Sequence, residues 1–149
     1  TGIARPQDVR AFALGSHGPE MVIPMSQAFA GDRPIAGLLD AGTLSGIVER
    51  TRDSGAEVVS FLKTGSAYFA PAESVAAMIR AMATNSRDIV AACVEPDGAY
   101  GLTNVRVGLP VRLDSTGVAE VVELALTADE RQALAAAAAR IAERVRKVG

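Results

Sequence analysis

The segment NVRVGLPVRL, Asn104–Leu113, constrains the fold more than any other stretch of the chain. Val105, Val107, Leu109, Val111 and Leu113 alternate with Arg106, Gly108, Pro110 and Arg112, and a β-strand sends successive side chains to opposite faces. One face must be dry and the other wet, which predicts a half-buried strand. DSTG, Asp114–Gly117, follows as a hairpin loop, and VAEVVELAL pairs back. Upstream, DIVAACVEP is a continuous apolar run bounded by Pro96, and DGAYG turns the chain between two strands. The expected sheet is mostly antiparallel.

Long helices flank this block. From Thr43 to Thr84 the apolar spacing is helical: Leu44, Ile47, Val48, Thr51 and Arg52 begin it, and Val58, Val59, Phe61 and Leu62 continue it beyond Gly55, where a weakened or kinked rod is expected. KTGSAYFAPAES, Lys63–Ser74, interrupts the run with Gly65 and Pro71; Val75, Met78, Ile79 and Met82 then face a core. The last helix has a capping box in Thr127 and Glu130, and a stripe of Leu134, Ala138, Ile141 and Val145 with Arg131, Arg140, Glu143 and Arg144 on the wet side. Its alanine run, Ala135–Ala139, favours a packed helix. At the other end, DVRAFALG, Asp8–Gly15, reads as a strand ending at Gly15, and MVIPMSQAFAG, Met21–Gly31, as an extended segment broken by Pro24. The fold class is α+β, a mostly antiparallel sheet packed with long helices.

At 149 residues the chain makes one domain, and chains of this size bury roughly 70% of the surface they expose when unfolded. Fifteen basic against seventeen acidic side chains supply no basic surface for nucleic acid. The cluster RVRKV, Arg144–Val148, is instead favourable charge at a helix C-terminus. A lone cysteine, Cys93, cannot close an intrachain disulfide; its apolar run suggests a buried, inert thiol and a reducing, cytoplasmic compartment. No apolar stretch is long enough to cross a bilayer, and the amino terminus lacks the basic and hydrophobic regions of a secretion signal. The chain starts at Thr1 and enters an apolar strand within a dozen residues, which suggests a fragment of something longer.

The single histidine, His17, lies in ALGSHGPEMVIP, just beyond a strand end and between glycines. Imidazole is the side chain best suited to exchange a proton near neutral pH, and flanking glycines let a substrate approach closely. A surface or hydrogen-bonded structural histidine fits the same position. One His and one Cys cannot fill a structural zinc site, so no metal centre is expected. Ser66 in KTGSAYF is available, but the G-x-S-x-G elbow of a serine hydrolase is absent. Neither G-x-G-x-x-G nor G-x-x-x-x-G-K-[ST] occurs, so no dinucleotide cradle lies within these residues.

Three blocks, LGSHGPEMVIP, IVERTRDSGAEVVSFLKTGSAYFAPAESVAAMI and DGAYGLTNVRVGLPVRL, appear in the order found in malate dehydrogenases of the lactate-dehydrogenase-like type. Together they make nearly the whole chain, 1–149, resemble the carboxy-terminal, substrate-binding and catalytic domain of that lactate/malate dehydrogenase family. The resemblance implies that His17, in the family's G-x-H-G loop, is the acid/base; that Ser66 lines the substrate and nicotinamide pocket; and that Ala70 is near the nicotinamide. It implies NAD-dependent oxidation of (S)-malate to oxaloacetate, a 2-hydroxy/2-keto dicarboxylate pair, in a homo-oligomer. TGSAYFAPA favours the malate branch over a lactate-type 2-hydroxy acid dehydrogenase. In the family, an amino-terminal Rossmann domain binds most of the NAD, and an aspartate that orients the histidine and arginines that clamp carboxylates lie ahead of where this chain starts. The isolated chain is therefore expected to be inactive, and a non-catalytic module that keeps only the packing surfaces is the alternative. One departure is local: Pro19 stands where the family usually has aspartate, removing a carboxylate and a backbone donor.

Overall fold

The computed structural model describes residues 5–148. Its centre is β7 (Val107–Asp114), the strand with the strict alternation. Val107, Leu109, Val111 and Leu113 are each at most 2% exposed, so the predicted dry face is dry. β6 (Ile89–Val94) pairs along one edge of β7. The other edge is shared: β8 (Gly117–Val121) takes the end at Val111–Asp114, and β2 (Leu14–Gly15) touches only at Gly15 opposite Gly108. Pro110 fits this division. Its carbonyl accepts from the Val122 amide on the shared edge. In a strand a residue's nitrogen and carbonyl point the same way, so the missing N–H falls between β2 and β8, where no ladder partner is lost.

β3 (Met21–Val22) continues the sheet outward from β2. A second sheet of three short strands orders β1 (Val9–Arg10), β4 (Phe29–Ala30) and β5 (Arg33–Pro34). Every pairing among the described residues is antiparallel. The expected strand over Asp8–Gly15 is divided, because Val9 and Arg10 join the small sheet while Leu14 and Gly15 join the large one. The expected extended run Met21–Gly31 is interrupted by a single 3-10 turn at Met25–Gln27 after Pro24.

Among the described residues three α-helices follow the expected order: α1 (Ala41–Leu62), α2 (Phe69–Thr84) and α3 (Ala128–Val148). α1 starts two residues earlier than the periodicity indicates, because the Asp40 side chain accepts from the Thr43 amide at 2.9 Å and caps the helix. Gly55 does not break it. α2 absorbs Phe69–Ser74, part of the expected interruption; Pro71 falls in the first turn, where helical amides have no intrahelical acceptor and a missing N–H costs nothing. Its buried contacts come from Ala81, Met78 and Met82, whereas Val75 and Ile79 are each 55% exposed. On α3, Leu134, Ala137 and Ala138 are buried and Val145 is exposed, so the stripe ends one turn early.

Two cores result. Leu14, Val22, Val107 and Leu109 pack with Leu134, Ala137 and Ala138 of α3. Val111 and Leu113 pack with Ala81 of α2. Thus β7 joins both helices, and the strand end that carries His17 lies over α3.

Candidate functional site

Gly15 ends β2 with φ +82°, a conformation L side chains rarely adopt. It also lies against two neighbours: an added Cβ would stand 3.1 Å from the Ala137 Cβ, and one at Gly108 would stand 2.9 Å from the Gly15 carbonyl. Paired glycines therefore let the strand before His17 sit directly on β7.

Beyond Ser16 and His17 the chain reverses in a tight turn, with the Met21 amide donating to the Gly18 carbonyl at 2.9 Å. Pro19 occupies the turn's second position, where its fixed φ is pre-set for the bend. The residue that departs from the family pattern is thus one that stiffens the loop. Its neighbour Glu20 supplies a carboxylate one position later, directed toward α3.

The His17 side chain is exposed, on the rim of a cleft of about 640 Å³ lined in part by Ser16, Ser74, Cys93 and Arg106. Four strands explain the grouping. Met21, Gly15, Gly108 and Cys93 stand opposite one another in successive ladders, forming one row across β3, β2, β7 and β6. The row brings Cys93 to the histidine's cleft and leaves it exposed, so the expected buried thiol is corrected. The reason is that β6 has only one packed face: Val90, Ala92 and Val94 are half-buried, while Ile89, Ala91 and Cys93 face outward.

Arg106 makes no ion pair or side-chain hydrogen bond among the described residues, so the cleft carries a free cation that favours an anion. Ser66 lies exposed in the link between α1 and α2, and Ala70 in the first turn of α2. Neither is among the residues lining the cleft, to which α2 contributes Ser74. Arg106 was legible as a polar residue of the alternating strand and Ser74 only as the end of the expected interruption Lys63–Ser74, and no local signal tied either to His17. No group of three or more metal-binding side chains occurs among the described residues, and no described helix is long and apolar enough to cross a membrane. The arrangement can exchange a proton with a molecule seated beside the imidazole and hold negative charge near it.

Residues 1–148 match the lactate/malate dehydrogenase family's alpha/beta C-terminal domain. The malate dehydrogenase of Trichormus variabilis is 40% identical over 143 residues, 95% of this chain and 44% of that protein. That of Geobacillus thermodenitrificans is 43% identical over 129 residues, 87% of this chain and 41% of that protein. The chain thus spans less than half the length of these curated relatives. Among solved structures, Salinibacter ruber malate dehydrogenase superposes with a TM-score of 0.91 at 34% identity, covering 95% of this chain and 46% of the other. Plasmodium falciparum malate dehydrogenase in complex with NADH gives 0.89 at 27% identity, covering 95% and 48%. With its antiparallel sheets, three helices and glycine-seated histidine loop, the chain belongs to the lactate/malate dehydrogenase family as its α/β carboxy-terminal domain.

Proposed function

We propose that this chain supplies the acid/base histidine and part of the substrate pocket of an NAD-dependent malate dehydrogenase converting (S)-malate to oxaloacetate. The observation that carries the reading is the exposed His17 imidazole on a proline-stiffened loop, lining a cleft whose Arg106 is unpaired among the described residues. Similarity of 40% and more to malate dehydrogenases supports the substrate class. A ring nitrogen of His17 takes the proton of the substrate's 2-hydroxyl during oxidation; in reverse, imidazolium polarises the keto oxygen and returns the proton. One proton moves, so one histidine suffices. Arg106 contributes positive charge toward a carboxylate of the dicarboxylate.

The residues present fit a nicotinamide ring presented from outside: His17 is open to solvent, whereas no glycine-rich phosphate cradle lies in the chain. When bound, that ring exchanges the hydride with the substrate carbon. An amino-terminal Rossmann domain holds the rest of the cofactor in this reading, and Ser66 and Ala70 belong to the part of the pocket it completes. Alone, the chain is inactive. The exposed free thiol of Cys93 suits a reducing, cytoplasmic compartment.

The test joins this chain to the amino-terminal half of the G. thermodenitrificans malate dehydrogenase and assays malate and lactate with NAD. Malate turnover is expected, with His17→Ala lowering kcat/KM roughly 10²- to 10⁴-fold. Equal turnover by that variant overturns the catalytic role, and faster lactate turnover selects the lactate-type reading.

Exposed apolar side chains favour a second role in homo-oligomer packing. Phe61 of α1 is 75% exposed and Phe69 of α2 76%, and α1 has no buried residue at all. Such faces are normally covered by another surface. Sedimentation of the joined protein should give an oligomer that Phe69→Glu dissociates; a monomer throughout removes the packing role.

A further inference from the structure

We propose that Glu20 is a positioning residue for His17, holding the histidine loop through a carboxylate gripped by two arginines of the terminal helix. Arg140 Nη1 and Arg144 Nη2 donate to the same oxygen, Glu20 Oε1, at 3.2 Å and 2.6 Å. These residues are four apart on α3, so one helix face presents both guanidiniums to the loop. From the other side, Arg52 Nε of α1 donates to the Met21 carbonyl at 2.9 Å. The two positions directly after Pro19 are therefore held by three guanidiniums from two helices.

The side-chain environments explain why this grip is more than an ordinary surface pairing. Arg140 and Arg144 are 60% and 64% exposed, and single pairs of such groups are weak because water screens them. Glu20, however, is only 17% exposed, and its Oε2 is buried with no hydrogen-bond partner among the described residues. All compensation for the carboxylate thus reaches it through Oε1. Removing an arginine leaves a half-buried charge under-compensated, and the least costly response is for the side chain to swing into water. Glu20 is the third residue of the turn that Met21 closes and whose first residue, Gly18, directly follows His17, so that movement carries the imidazole with it.

The consequence for the reaction rests on the acid/base reading of His17. Proton transfer requires donor and acceptor atoms about 2.6–3.2 Å apart, and a misplacement of about 1 Å can cost on the order of a hundredfold in rate. Glu20 touches neither substrate nor cofactor in this scheme; it acts by fixing where the imidazole stands.

Two measurements decide the matter. In the 149-residue chain, amide hydrogen exchange is followed by NMR together with the Cε1–H resonance of the sole histidine. Glu20→Gln and Arg144→Gln should each speed exchange over Ser16–Met21 by about tenfold and shift or broaden the histidine resonance, while β6–β8 keep their protection. Because Arg144 is largely exposed, its variant keeps the test alive if the glutamine at position 20 impairs folding. In the joined enzyme, the same variants should lower kcat roughly tenfold to a hundredfold with the KM for NAD unchanged, and Arg144→Lys should recover part of the loss. Unchanged loop exchange overturns the grip itself. Faster loop exchange with kcat intact, in an enzyme that His17→Ala inactivates, overturns its positioning role. If instead His17→Ala has no effect, the functional reading fails while the exchange data still judge whether Glu20 holds the loop.

Discussion

Gly15 and Gly108 touch so closely that a single methyl group at position 108 would stand 2.9 Å from the Gly15 carbonyl oxygen. The contact is the sole pairing of β2 with β7, and it seats the strand end from which the histidine loop departs. Gly108→Ala should therefore push β2 off the sheet. Strain of this kind costs about 1–3 kcal/mol, readable as a lower midpoint in urea. Malate turnover in the joined enzyme should fall further than stability, because His17 moves with the strand. A variant with wild-type midpoint and turnover would show that β2 yields without cost.

Glu130 links the start of α3 to the loop after β3. Its Oε2 accepts from the Thr127 amide at 2.9 Å and its Oε1 from the Ser26 amide at 3.0 Å, while the Thr127 hydroxyl accepts from the Glu130 amide at 3.2 Å. Burial alone would raise the Glu130 pKa, but the hydrogen bonds from Ser26 and Thr127 outweigh it and bring the carboxyl below its ordinary value. A depressed folded pKa stabilises the native state above the unfolded value, and that contribution disappears as pH falls through the folded one. Glu130→Gln should cost about 1 kcal/mol near neutrality and flatten the acid limb of a stability–pH curve. An unaltered acid limb would assign the loss to other carboxyl groups.

Tyr100 is buried, and its hydroxyl donates to the Val122 carbonyl and accepts from the Leu124 amide, each at 2.8 Å. Tyr100→Phe strands both backbone groups and should destabilise the fold by about 1–3 kcal/mol in thermal or urea unfolding. Burial raises the phenol's pKa above its ordinary value. The stability tied to that shift is complete below the unfolded pKa and lost as pH climbs through the folded one. The variant should accordingly lose less stability than the parent in strong alkali; parallel losses would refute the assignment.

Cys93 is exposed beside His17 in the same cleft. A disulfide reagent should modify one thiol per native chain without denaturant. In the joined enzyme, a bulky maleimide on Cys93 should depress malate turnover, and Cys93→Ser should be immune to it. Modification that leaves turnover untouched would place the reacting substrate away from this part of the cleft.

Local chemistry carried much of the fold. The alternation from Val105 to Leu113 foretold β7, DSTG foretold the turn into β8, and Thr127 with Glu130 foretold the start of α3. Each depends on backbone periodicity or on atoms within a few residues. The Asp40 cap is also local, but it lies ahead of the first periodic residues that mark α1. The family resemblance came from three ordered blocks, and residues 1–148 match the same family.

What the sequence determined by itself was the strands β6, β7 and β8, the helical character of α1, α2 and α3, and the position of one histidine between glycines. The tertiary structure decided which of two sheets Val9 and Leu14 would join, that Cys93 would face out, and that Glu20 would meet Arg140 and Arg144 from more than a hundred residues away. The division has a physical cause. Hydrophobic period and capping act over one or two turns of chain, whereas exposure and ion pairing depend on which surfaces the connections bring together, and that information is spread along the entire polypeptide.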